Sequence, residues 1–336
     1  MSAKGLKVFL TGGAGFIGNE VARQLVMQGA NVTVVDNFIN GKIENLEDID
    51  AAQLTVARND IRDEAAMAEL IKGCDLVLHL ACLGVRHSLH APMENHAVNA
   101  TATLSLLELA RNTGIKRFVY VSSSEIYGTA RTAPMTEDHP SFPMTVYGAA
   151  KLAGERYTDA YWRTWRFPTT VIRPFNAFGP RSHHEGDSGE VIPKFMLRAM
   201  AGKPLTIHGD GAQTRDFTFV GDTARGIIEA ATHSATVGET INLGNGREVT
   251  VNELANLVAR VLPGCNISME YGPDRPGDVR RLIADSSRAK SLFGFVPKIS
   301  LQQGLEILRD WYLSSGQDPE KLLQNERPIN WTLTSP

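Results

Sequence analysis

At 336 residues the chain exceeds the usual single domain of about 100–200 residues, so one large or two intimately joined domains are expected. Its 43% hydrophobic content is ample for a core, and a net charge of −3 without a long Lys/Arg run argues against nucleic-acid binding. Cys74, Cys82 and Cys265 form no CxxC pair, which disfavours a disulfide framework or a zinc site and makes a reducing cytoplasm the expected compartment. The N-terminus lacks a secretory-signal pattern and no apolar run approaches the ~18 residues that span a bilayer, so a soluble chain without a membrane partner is expected.

In chain order, short apolar runs at 6–10, 31–35, 54–57, 75–80, 117–121 and 169–172 read as buried strands. Segments of helical spacing lie between them at 16–28, 64–72, 98–112 and 147–165. This alternation predicts an α/β fold, a Rossmann-type doubly wound parallel sheet. Residues 175–190 are rich in Gly, Pro, His and Asn and read as a long loop. Helical pieces at 192–201, 222–232, 251–261 and 301–314, separated by short strand-like runs, predict a smaller mixed α/β C-terminal substrate domain. The expected division is 1–175 for the cofactor and mainly 176–336 for the substrate, with part of 217–243 returning to the first domain.

The first strand runs into TGGAGFIG (11–18) and then a helix. In this GxxGxxG spacing Gly12 permits the tight turn, Gly15 admits a pyrophosphate to the backbone, and Gly18 allows close helix–sheet packing. The helix start at Phe16 and Ile17 presents free N–H groups to phosphate. The second strand ends in Asp36, 18 residues after Gly18; a carboxylate there suits an adenosine ribose and repels a 2′-phosphate. Asn37 and the residues after it offer no arginine to such a phosphate, which favours NAD over NADP. Asp60 and Ile61 follow the third strand; Asp60 fits either a place near adenine or a cap on the helix from Glu64.

Tyr147 and Lys151, four apart on one helix, share a face. An ammonium near a phenol favours phenolate, which would let Tyr147 take a proton from a substrate hydroxyl. The serine run 122–124 lies one strand and one loop before this helix.

With these landmarks the chain resembles the extended short-chain dehydrogenase/reductases of the NAD-dependent nucleotide-sugar epimerase, dehydratase and decarboxylase group. The resemblance spans nearly the whole length and rests on TGGAGFIG, Asp36, HLA (79–81), SSSEIYG (122–128), YGAAK (147–151), RPFN (173–176), QTRDF (213–217) and RPGD (275–278). It implies a cofactor site of Gly12, Gly15, Phe16, Ile17, Asp36, Asn37, Asp60, Ile61, Leu80, Ala81, Cys82, Asn99, Ser122, Tyr147, Lys151 and Phe175. It implies that Ser123 binds the 4-oxygen beside Tyr147, that Asn176, Arg215 and Arg275 meet a nucleotide diphosphate, that Asp278 meets the nucleoside ribose, and that Val191 contacts substrate. Paired guanidinium forks suit a pyrophosphate, although a lone arginine is as often a surface salt bridge.

The resemblance further implies oxidation at C4 followed by epimerisation, dehydration or decarboxylation. Glu125 is either a base acting at C5 and C6 or a carboxylate capping its own loop. The preferred expectation is a UDP-hexose 4-epimerase, with the lyases second. A non-catalytic NAD-binding scaffold and a net reductase stand further back. A homodimer through helices 98–112 and 147–165 is expected. The histidines at 87, 90, 96, 183 and 184 lack metal-ligand spacing, so no metal is expected, and His183 or His184 is placed on a sugar-side loop at 181–190.

Overall fold

The computed structural model describes residues 2–186, 188–265, 267–275, 278–327 and 329. In chain order its first half runs β1 (Lys7–Thr11), α1 (Phe16–Met27), β2 (Asn31–Asp36), β3 (Leu54–Arg58), α2 (Glu64–Leu70), β4 (Leu76–His79), α3 (Val85–His90), α4 (Pro92–His96), α5 (Ala102–Asn112), β5 (Arg117–Val121), α6 (Val146–Trp165), β6 (Thr169–Pro174) and β7 (Ala177–Phe178). The second half runs α7 (Val191–Met200), β8 (Leu205–His208), β9 (Thr214–Asp216), β10 (Thr218–Phe219), α8 (Val220–Thr232), β11 (Thr240–Leu243), β12 (Glu248–Thr250), α9 (Val251–Val261), β13 (Met269–Gly272), α10 (Ser287–Phe293), α11 (Leu301–Ser315) and α12 (Pro319–Leu322).

Seven parallel strands form the central sheet in the order β11-β6-β5-β4-β1-β2-β3. Alternate residues of each strand feed two cores. Val8, Leu10, Val34, Leu78 and Val119 pack under α1 and α8, whereas Phe9, Val35, Val77, Phe118 and Tyr120 pack under α5 and α6. The chain winds outward through β1, β2 and β3, then returns to β4 on the other side of β1. That reversal opens a crevice beyond the carboxyl ends of β1 and β4, the place where such sheets bind ligands. A third core joins α7, α9 and α11 through Phe195, Leu254, Val258, Leu305 and Leu308, and this region closes the far side of the crevice.

The doubly wound sheet and the mixed second region agree with the sequence pattern. The loop expected at 175–190 is interrupted by β7, which pairs in parallel with β10. The helix expected from 98 begins earlier: Pro92 opens α4, a π-helical stretch Ala97–Thr101 follows, and α5 continues the same path. Beneath the sheet, Arg173 of the RPFN motif is clamped by Glu155 at 2.9 and 2.7 Å and bonds the Tyr127 hydroxyl at 2.7 Å, with both charged side chains almost fully buried. None of the helices among the described residues is long and apolar enough to cross a membrane.

Candidate active site

A cleft of about 1780 Å³ runs along the carboxyl ends of the strands. At one end Gly12 turns the chain at φ +71°, and a Cβ there would lie 2.6 Å from the Ala81 nitrogen, so β1 and the loop after β4 touch backbone to backbone. Gly15 borders the cleft, where a Cβ would meet only the Gly12 carbonyl at 3.2 Å. Gly15 also begins α1 without a side-chain cap, which leaves the N–H groups near Phe16 and Ile17 directed at the cleft. Asp36 accepts from the Ala14 nitrogen at 3.0 Å and from Phe38 at 2.8 Å; burial raises its pKa and these two bonds oppose the rise.

The HLA motif braces this end. Thr11 and Thr103 bond the two ring nitrogens of His79 at 2.7 and 3.0 Å, and burial holds its pKa down to about 3, so the ring stays neutral. Thr11 also accepts from the Ala81 nitrogen at 3.2 Å. Leu80, Ala81 and Cys82 then line the cleft. Asn99 does not. Its buried amide accepts from the Leu83 nitrogen at 2.9 Å and donates to the Leu83 carbonyl at 2.8 Å, which places it behind the cleft as a brace for that loop. Asp60, Asn37 and Ile61 border the cleft, and Asn37 donates to Asp60 at 3.0 Å. The capping alternative for Asp60 gives way to Asp63, which takes the Ala66 nitrogen at 3.0 Å three residues later.

Ser122, Ser123, Glu125, Tyr147 and Lys151 meet at the middle of the cleft. Thr145 caps α6, and a Cβ at Gly148 would sit 2.8 Å from the Glu125 carbonyl, so the glycine after Tyr147 lets the helix lie against the serine loop. The Tyr147 hydroxyl is hydrogen-bonded to the side chains of Ser123 and Cys82. Burial raises its pKa well above the usual phenol value, Cys82 and Glu125 add to that, and the Ser123 bond opposes it. Lys151 is also buried, which lowers its pKa, and its ammonium donates to the Val121 carbonyl at 2.6 Å rather than to the phenol. Ser122 Oγ is buried with no hydrogen-bond partner among the described residues, a polar atom that a bound molecule would satisfy.

Glu125 borders the same space. Ser123, not this carboxylate, caps the turn, accepting from the Glu125 nitrogen at 3.2 Å. Burial raises the Glu125 pKa; Arg215, Arg86 and Arg275 pull it down while Asp278 pushes it up.

At the other end Phe175, Asn176, Val191, Arg215, Arg275 and Asp278 all line the cleft. Asn176 Oδ1 has no partner among the described residues. Arg215 is held by the Val279 carbonyl at 2.6 Å, the Thr214 carbonyl at 2.8 Å and Asp278 at 2.6 Å. Arg275 has its pKa lowered to about 10, first by burial and then by repulsion from Arg86 and Arg215, with Asp278 and Glu125 offsetting in part. A group of guanidiniums that repel one another inside a cleft favours a multiply charged anion. Pro276 and Gly277 of the RPGD motif lie outside the described residues.

The 181–190 loop borders the cleft. His183 lines the cleft, while His184 turns to Glu185 at 3.3 Å and to the Tyr312 ring. Lys42 pairs with Glu185, Ser188 bonds Asn40 at 3.3 Å and Arg181 bonds Asp48 at 2.9 Å, so the loop is tied across the cleft to the segment after β2. Glu190 and Arg86 line the cleft as well, and the sequence pattern assigned Glu190 no role. No group of three or more His, Cys, Asp or Glu among the described residues is arranged to hold a metal.

The family model described as GDP-mannose 4,6 dehydratase matches residues 9–308. UDP-glucuronic acid decarboxylase 2 of Arabidopsis thaliana is 34% identical over 92% of this chain and 68% of its own length. A UDP-glucose 4-epimerase from Thermotoga maritima, solved with UDP-glucose, superposes with a TM-score of 0.88 at 32% identity, covering 93% of this chain and 100% of that one. DesIV of Streptomyces venezuelae, a dTDP-glucose 4,6-dehydratase solved with NAD, superposes with a TM-score of 0.86 at 30% identity, covering 92% and 97%. The chain belongs to the GDP-mannose 4,6-dehydratase family, among the extended short-chain dehydrogenase/reductases whose members epimerise, dehydrate or decarboxylate nucleotide sugars.

Proposed function

We propose that this chain is an NAD-dependent nucleotide-sugar 4-epimerase acting on a UDP-hexose through a transient 4-keto sugar. The observation that carries the reading is the Ser123–Tyr147 pair between a glycine-built phosphate cradle with Asp36 at one end and Arg215 with Arg275 at the other. The cradle, the uncapped start of α1 and the unpartnered Ser122 hydroxyl suit NAD, which when bound accepts a hydride from C4 and can return it. Tyr147 takes the proton of the sugar 4-hydroxyl as the hydride leaves and gives it back at the end. Ser123 holds the sugar oxygen and the phenol in one line. Lys151 keeps a positive charge beneath the phenolate that forms. Arg215 and Arg275 grip the diphosphate, with Asn176 beside them and Asp278 toward the ribose, so the hexose can turn over between the two hydride steps without leaving.

The same reading divides the chain into a cofactor part, 1–175 with part of 217–243, and a nucleotide-sugar part formed mainly by 176–336. Exposed Leu104 on α5, with Val146 and Trp165 on α6, supports a homodimer through these helices. A second reading, a dehydratase or sugar-acid decarboxylase, is favoured by Glu125, a carboxyl with raised pKa in the cleft. The test is incubation with UDP-glucose: conversion to the C4 epimer with no net change at 340 nm supports the epimerase, and net NADH accumulation contradicts it.

A further inference from the structure

The segment after β2 lies on the phosphate cradle. The Lys42 nitrogen donates to the Ala14 carbonyl at 3.1 Å and the Asn45 amide donates to the same carbonyl at 2.8 Å, and Ala14 stands in the middle of TGGAGFIG. A Cβ on Gly41 would lie 2.8 Å from an Asp36 carboxylate oxygen, so the chain folds back against that side chain as well. From this segment side chains reach across the cleft to the loop before α7. The Lys42 ammonium pairs with Glu185, and the Ser188 hydroxyl donates to the Asn40 amide oxygen at 3.3 Å. Asp48 takes Arg181 at 2.9 Å while it also holds Arg23 of α1 at 2.7 Å.

The loop itself is built onto the second region. The Glu190 nitrogen donates to the His183 carbonyl at 2.8 Å and closes the loop's base. The Gly186 nitrogen donates to the Asn325 carbonyl at 2.8 Å, and the His184 ring stands edge-on to Tyr312 of α11. Gly12, Gly15 and Asp36 line the same cleft as Lys42, Glu185 and Ser188. The contacts that join the two regions therefore stand beside the cofactor cradle.

We propose, resting on the NAD reading of the glycine turn, that Lys42 and Glu185 are cofactor-retaining residues: their ion pair, with the Ser188–Asn40 bond beside it, fastens the second region over bound NAD, and NAD leaves only when this bridge opens. Burial raises the Glu185 carboxyl, but the Lys42 bond and the charges of His184 and Lys42 outweigh it and hold the group at about 2, so it is an anion at neutral pH. The two side chains keep 47% and 29% of their exposure, so solvent screens the pair and its effect on release is about threefold to tenfold, not larger. A latch of this kind suits a reaction that takes a hydride and returns it in one cleft, because NADH that escaped between the two steps would strand the 4-keto sugar.

The test is exchange of bound NAD for radiolabelled NAD in the loaded protein, for wild type, Lys42→Gln, Glu185→Gln and the double variant carrying both. The proposal predicts release about threefold to tenfold faster in each single variant. The double variant is no faster than the faster single one, because either change already removes the whole pair. Every variant still fills with NAD at saturation, which shows the cradle intact. A Glu185→Gln protein that holds NAD as long as wild type, or longer, shows that Lys42 serves the phosphates alone and overturns the proposal. Single effects that multiply in the double variant overturn it, and so does a variant that no longer fills with NAD, since the loss then lies in the cradle and not in the bridge. Wild type that takes up no NAD overturns the cofactor reading itself, a failure distinct from these.

Discussion

Replacing Tyr147 by Phe removes one oxygen atom from the middle of the cleft and leaves the packing of α6 in place. The hydroxyl bonds Ser123 and Cys82, so its loss costs folding about 1 kcal/mol, a small thermal shift for a chain of this size. The Gly12 cradle, Asp36 and the start of α1 are untouched, so NAD content is unchanged. The rate falls much further. A positioned general base contributes about 10²–10⁴-fold, or about 3–5 kcal/mol of barrier, and the phenol is the group placed beside Ser123 to take the 4-hydroxyl proton. In wild type, burial raises the phenol and the Glu125 charge adds to it, so turnover climbs as pH rises until the phenol, aided by the Lys151 charge, ionises. The Phe variant lacks that dependence. Single-turnover absorbance at 340 nm, followed across pH after checking bound NAD and thermal midpoint, reads the step directly. A Phe variant that keeps NAD and turns over within about tenfold of wild type refutes the assignment of the base.

Ser123→Ala should lower kcat by about 10–100-fold with little change in KM, because it removes the Tyr147 partner but no diphosphate contact; a pure KM effect would contradict this. Glu125→Gln should leave epimerisation within a few-fold of wild type, and loss of turnover after the 4-keto sugar has formed would move the enzyme to the lyases. Arg215→Met should weaken UDP binding by about tenfold or more, since the guanidinium also orders Asp278 and Val279; unchanged affinity by calorimetry would remove Arg215 from the nucleotide site. Glu155→Gln leaves Arg173 charged and buried, so urea unfolding should show a loss of about 3–5 kcal/mol; a loss below about 1 kcal/mol would show that Tyr127 and the Glu137 carbonyl suffice to hold it.

Where chemistry is local, the sequence showed it. Gly12, Gly15 and Gly18 are legible because one turn imposes all three, and Tyr147 with Lys151 because a helix puts residues four apart on one face. Asp36 is legible because a strand end has a known place relative to the glycine turn. Where a role depends on distant chain, the pattern falls short. Asn99 carries a cofactor motif's position but serves Leu83, and nothing near it in sequence says so. Asp60 and Asp63 are both plausible caps, and the helix start decides for the second. Arg86 and Glu190 border the same cleft from segments far apart in the chain, so neither segment alone announces a shared site.

Proton NMR of the NAD-loaded protein with UDP-glucose in D2O tests the central claim most directly. The account predicts a product differing only at C4, with the C5 proton retained and no deuterium incorporated there. A 4-keto-6-deoxy product from UDP-glucose, or a pentose formed from UDP-glucuronate when the hexose is left unchanged, would contradict it and make Glu125 the residue that directs the reaction.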